Sequence, residues 1–140
     1  MKAIVIHQTG GSEVLQYVDT QDPKLVGGDL LIRTQAIGVN FIDVYHRQGI
    51  YSLPLPFTPG QDGAGIVEEV GAGVTGFQAG DHVAWPANLG SYAELIRLPA
   101  NRVVKVPQGI SSNIACAAML QGMTAHYLIN STFKLQKHHT

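Results

Sequence analysis

The segment "AIGVNFIDVYHRQGIY" (36–51) gathers Asn40, Asp43, Tyr45, His46, Arg47 and Tyr51 within a short span. Asp43 and His46 are metal-ligand types. Tyr45 and Tyr51 each offer a flat apolar face and a hydroxyl, which suits a substrate cleft. Asn40 offers donor and acceptor together. Each residue also has a plainer use. Asn40 sits where an asparagine caps a helix. Asp43 is spaced to hold backbone or Arg47 one turn on. Arg47 suits a solvated helix face, with a cofactor phosphate as its other use; His46 suits a surface or cofactor-side position, and Tyr45 suits packing of that helix on a sheet. The residue types alone therefore leave a metal, a cofactor and the fold itself as three open uses.

The elements that must position these residues can be read from the pattern. "DLLIRTQAIGVN" (29–40) alternates in its first half and predicts a long strand. "FIDVYHRQ" (41–48) fits two helical turns closed by Gly49 as a C′ residue. "LPLPFTPGQDG" is a loop, because its prolines remove backbone donors. Further strands are expected at "KAIVIH", "LQYVDT", "AGIVEEVG", "HVAW", "GSYAELIRLP" and "NRVVKVP". These are about seven short strands, the spacing of a sandwich or partly open barrel. From Ser111 the pattern turns helical, with Ser111 or Ser112 as N-cap and Gly122 as the expected break between two helices.

Composition narrows the function. The chain has 140 residues, 45% hydrophobic and 14% charged, enough for an independent core and unlike a disordered chain. Nine basic and ten acidic residues leave a net charge of −1 and form no basic block, so nucleic acid is not an expected partner. No apolar run approaches the ~20 residues of a membrane span. Cys116 is the single cysteine, sits in "NIACAAML", and reads as a small buried hydrophobe. A lone thiol and the absence of a signal core in "MKAIVIHQTG" lead to the expectation of a soluble cytoplasmic protein.

Two familiar motifs fail on context. Gly71-Ala72-Gly73-Val74-Thr75-Gly76 matches G-x-G-x-x-G after a strand. A dinucleotide loop needs a helix to follow it, with the pyrophosphate at its N-terminus. Here Gly80-Asp81 stops any helix within a turn, so the motif reads as a turn between strands. The histidines (His7, His46, His82, His126, His138 and His139) form no H-E-x-x-H, and no Cys-x-x-Cys exists. No metal is expected.

"GVNFIDVYHRQGIY", "PGQDGAGIVEEVGAGVTGFQAGDHV", "GSYAEL" and "LQGMTAHYL" together resemble the N-terminal part of the NADPH:quinone oxidoreductases. These are the ζ-crystallin-like, zinc-independent branch of the medium-chain dehydrogenase/reductase superfamily. The likeness covers nearly the whole chain. It implies a mainly β fold with a few helices: a GroES-like, partly open β-barrel catalytic domain over residues 1–125. Residues 126–140 would then form a helical connection toward a Rossmann domain. The family continues with an apolar strand where this chain reads "KLQKHHT". The expectation is a truncated half of an enzyme, inactive alone.

By the same resemblance, zinc-dependent relatives carry a cysteine ligand and a histidine ligand at the positions of Asn40 and Gln61. Amides are not usual zinc ligands, so no zinc is implied. Asp62 stands where many relatives have glutamate, and Gln61 and Asp62 are expected only to order their loop. The resemblance implies Asn40 and Tyr51 as catalytic residues and Tyr45 and Tyr51 against the substrate. It implies Asn40 and Thr124 against the cofactor, NADP. A helix hydroxyl bonded to its own backbone remains the competing use of Thr124. The implied substrate is a small quinone or enone acceptor, and homo-oligomerisation is left open. A standalone GroES-like binding or assembly module is the alternative from another class, since "TAHYLINSTF" would expose apolar residues without a second domain.

Overall fold

A computed structural model describes residues 1–139. Strands β1 (Lys2–Val5) and β2 (Gln16–Asp19) form a two-stranded antiparallel sheet. The larger sheet has five strands: β3 (Asp29–Ile37), β4 (Gly63–Val70), β5 (His82–Trp85), β6 (Leu95–Pro99) and β7 (Val104–Lys105). Their order is β6-β3-β4-β5-β7, all antiparallel. The sheet stays open, as a partly open barrel requires.

The expected strand from Gly90 is shared between the two sheets. Only Leu95–Pro99 pairs with β3. The residues before it also bond the small sheet: Ile4 N–H donates to Tyr92 O at 2.8 Å, and Glu94 N–H to Lys2 O at 3.0 Å, while Glu94 O accepts from Thr34 N–H of β3 at 2.9 Å. Short-range alternation cannot show such a change of partner. The glycine motif forms a turn between β4 and β5, with Gly73 at φ 82° and Gly76 at φ 83°.

The core lies on one face of the large sheet. Leu30, Ile32, Val67, Val83, Trp85, Ile96, Leu98 and Val103 pack together there. Trp85 is fully buried, and its indole N–H donates to Ser91 Oγ at 2.9 Å, so this buried donor is paired. A smaller cluster of Ala64, Ala84, Ala115 and Cys116 seats helix α2 (Ser112–Ala117) against the sheet. Small side chains allow that close approach. Ser111 caps α2, its Oγ accepting from Ile114 N–H.

Gly122 does not divide the helical segment. It holds φ −65° and ψ −44° inside a π-helical stretch, Ala118–Gly122, that leads directly into α3 (Met123–Tyr127) and a second π-helical stretch, Leu128–Thr132. An interior glycine costs only about 1 kcal/mol, which neighbouring turns can bear. Met123, Tyr127, Leu128, Ile129 and Phe133 are exposed along this segment. Among the described residues, no helix is long and apolar enough to cross a membrane.

Candidate functional site

Helix α1 (Phe41–Gln48) follows β3 through Gly38-Val39-Asn40. Local chemistry fixes both of its ends. Asn40 is the N-cap residue, and its backbone N–H donates to Asp43 Oδ2 at 3.0 Å. Gly49 ends the helix in the left-handed region at φ 78°, where a side chain is disfavoured. Asp43 is buried, and its Oδ2 also accepts from Tyr92 OH at 3.0 Å. Asp43 therefore serves the fold through backbone and Tyr92 rather than through Arg47. Arg47 is not on a solvated face: its guanidinium donates to Gly10 O at 2.7 Å and ties α1 to the loop after β1. His46 is buried, not on the surface, because α1 turns that side inward.

The carboxamide of Asn40 reaches back toward the sheet. Its Nδ2 donates to Asp62 Oδ1 at 2.7 Å, and its Oδ1 accepts from Gln121 Nε2 at 2.6 Å. Asp62 has 0% exposure, far from a mere loop-ordering role. Burial raises its carboxyl pKa, while the Asn40 and Gln121 amides pull the other way and Asp43 adds to the rise. The carboxylate lies against the backbone of Gly38. A Cβ there would sit 2.5 Å from Asp62 Cγ and closer still to both oxygens. Cys116 Sγ lies 3.9 Å from Asp62 Oδ2. Burial, then Asp62, pushes the Cys116 thiol up to about 11, so it is no nucleophile. Burial and the neighbouring Asp43 raise the Tyr92 phenol as well.

Beside Asn40 stands an aromatic edge. Phe41 and Tyr45 have ring centroids 5.1 Å apart, edge to face, and Tyr45 and Tyr51 are 5.3 Å apart. Phe41 is 70% and Tyr51 53% exposed, so this edge faces solvent. Tyr45 and Tyr51 thus come together, while the Asn40 side chain is engaged by Asp62 and Gln121. Thr124 does not join them. It lies on α3, its hydroxyl donates to Leu120 O at 2.7 Å, and it lines a separate groove of about 550 Å³ with Pro86, Met119 and Tyr127. The groove nearest Asn40 measures about 350 Å³ and is lined by Gly38, Val39, Asn113, Cys116 and Gln121 among others. No cation stands among its described lining residues. Such a lining does not suit a phosphate chain. Among the described residues, no three His, Cys, Asp or Glu side chains lie close enough to hold a metal.

The alcohol dehydrogenase GroES-like domain model matches residues 27–108, more than half of the chain. The chain belongs to that family. Curated relatives of this GroES-like domain include a quinone oxidoreductase of Pseudomonas aeruginosa, 44% identical over 137 residues. That alignment covers 96% of this chain and 42% of the relative. The chain therefore spans about two fifths of the length of such relatives. Among solved structures, the Escherichia coli quinone oxidoreductase complexed with NADPH superposes at TM-score 0.93 with 37% identity, covering 97% of this chain and 42% of that one. A mycobacterial protein complexed with NADPH gives TM-score 0.91 at 43% identity, covering 99% and 43%.

Three features of the site in this GroES-like domain are not readable from the sequence: Gln121, Tyr92 and the buried role of Asp62. Gln121 lies 81 positions from Asn40, and Asp62 lies 22 away. No local spacing rule links them. The one available signal is Gly38 between a strand and a capped helix, since a glycine there marks a close approach.

Proposed function

We propose that this domain forms the acceptor side of an NADPH-dependent quinone oxidoreductase, acting without zinc. The observation that carries the reading is the Asn40 carboxamide, anchored on a buried carboxyl group at the N-cap of the helix whose Phe41 and Tyr45 form an aromatic edge with Tyr51. The similarity to quinone oxidoreductases, one of them solved as an NADPH complex, supports the same reading. NADPH, when bound, supplies a hydride; with one proton from water, that hydride converts a quinone to a hydroquinone. Tyr45 and Tyr51 hold the planar acceptor and exclude water from one of its faces. Asn40 orients a carbonyl or sugar hydroxyl through its spare donor and acceptor capacity. Thr124 contacts the cofactor from the α3 side. The 140 residues alone are expected to turn over no NADPH, since the groove beside Gln121 offers no cation to the phosphates among its described lining residues.

The test is a chimera in which these residues replace the matching part of the Escherichia coli quinone oxidoreductase. The chimera is expected to oxidise NADPH with 9,10-phenanthrenequinone, and the isolated chain is not. Asn40→Ala and Tyr51→Ala in the chimera should each lower kcat/KM by about 10- to 100-fold, the range of one lost orienting contact. A folded chimera without turnover, or with turnover indifferent to both changes, overturns the reading.

A second reading, a binding or assembly module, is favoured by the exposed apolar face of Met123, Tyr127, Leu128, Ile129 and Phe133. It predicts concentration-dependent association of the isolated chain in analytical ultracentrifugation. A monomer at every concentration sets that reading aside.

A further inference from the structure

The hydrogen bonds around Asn40 have a direction, and one residue sets it. An ionised carboxylate can only accept. Asp62 therefore takes the Nδ2 side of Asn40, and Asn40 must turn its Oδ1 away. That oxygen takes the Nε2 of Gln121 at 2.6 Å. The three side chains come from three places: the residue before β4, the N-cap of α1 and the π-helical turn after α2. The first is fully buried and the last is exposed on the groove of about 350 Å³. With Nε2 engaged inward, the free end of Gln121 is its carbonyl, Oε1, an acceptor.

We propose that Asp62 is the positioning residue of this groove: it fixes the amide of Asn40, and with it that of Gln121, so that Gln121 offers an acceptor to a ligand bearing N–H donors. A primary carboxamide on an aromatic ring is such a ligand, and this identity rests on the NADPH reading above. Gly38 belongs to the same device, since only a residue without a side chain lets the carboxylate sit where it does. Among the described residues, no cation stands against Asp62. The groups facing it are Asp43 from α1, Cys116 from α2, the amides of Asn40 and Gln121, and the Tyr92 phenol. Protonation of Asp62 removes the constraint: a carboxylic acid can donate, and both amides are then free to reverse. A purely structural Asp62 would not reorient an amide on the groove.

The experiment follows the side-chain amide signals of Asn40 and Gln121 by 15N–1H NMR in the 140-residue chain, with nicotinamide and nicotinate as probes. Both amides are expected to titrate with one shared midpoint. The shared titration is expected to vanish in Asp62→Asn with the backbone spectrum retained. Nicotinamide is expected to shift the Gln121 amide at neutral pH in the native chain and nicotinate is not, because a carboxylate has no N–H to give. Amides that ignore pH in the native chain, or a titration that survives Asp62→Asn, overturn the positioning role. If Asp62→Asn does not fold, the native titration alone decides, and two separate midpoints refute the coupling. No nicotinamide response, with the titration intact, overturns the ligand assignment; hydride transfer stands or falls separately on the chimera.

Discussion

Gly38→Ala should destabilise the chain through one identified collision. Gly38 is not among the positive-φ glycines, so its backbone accepts alanine. The added methyl would meet Asp62 Cγ at 2.5 Å, with both oxygens nearer. Asp62 is fully buried and bonded to Asn40, so it cannot swing aside without losing that bond. Overpacking at such a site costs about 1–3 kcal/mol. In a domain of this size, each kcal/mol lowers Tm by about 3–5 °C, so a drop of roughly 3–15 °C is expected. The decisive assay is a double-mutant cycle read by urea unfolding: Gly38→Ala, Asp62→Ala and both together. Asp62→Ala removes the three atoms the methyl meets. Most of the Gly38→Ala cost should vanish in that background, giving a coupling of about 1–3 kcal/mol. A Gly38→Ala chain within about 0.5 kcal/mol of native, or an unchanged cost without Asp62, refutes the packing argument.

Gly122→Ala should act in the opposite direction. The glycine is helical and a Cβ would meet only Ala118 Cβ at 3.9 Å, so a gain of about 1 kcal/mol in urea unfolding is expected. Cys116, buried and with a thiol pushed up to about 11, should resist iodoacetamide at pH 8 in the native chain and react at once in urea; mass spectrometry reads both. The raised Asp62 carboxyl binds its proton more tightly folded than unfolded, so native stability falls as pH rises through the interval between the two pKa values. Asp62→Asn lacks this contribution. Its stability relative to the native chain should rise with pH across that interval, by about 1.4 kcal/mol for each tenfold gain in proton affinity on folding; a difference independent of pH contradicts the assignment.

What the sequence made legible was local. Asn40, Asp43 and Gly49 carry the two ends of α1 within ten residues, and the observed helix, Phe41–Gln48, has the expected bounds. The glycine-rich turn before β5 was legible for the same reason, because Gly80-Asp81 leaves no length for a helix. The Asp62–Asn40–Gln121 cluster was not legible, because it depends on how β4, α1 and the helical segment after α2 pack in three dimensions. Gly122 misled because propensity is a weak prior and a π-helical turn absorbed the residue. Thr124 bonds Leu120 O, as a helix hydroxyl does by default, and residue type alone could not decide between that bond and a ligand.

The central claim is that Asn40 and the Tyr45–Tyr51 edge form an acceptor site without a metal. Its most direct measurement is a 15N–1H NMR titration of the metal-stripped chain with 9,10-phenanthrenequinone. Shifts are expected to concentrate at Asn40, along α1 and at Tyr51, unaltered by added zinc. Shifts confined to the exposed face from Met123 to Phe133, or appearing only when zinc is present, would contradict it.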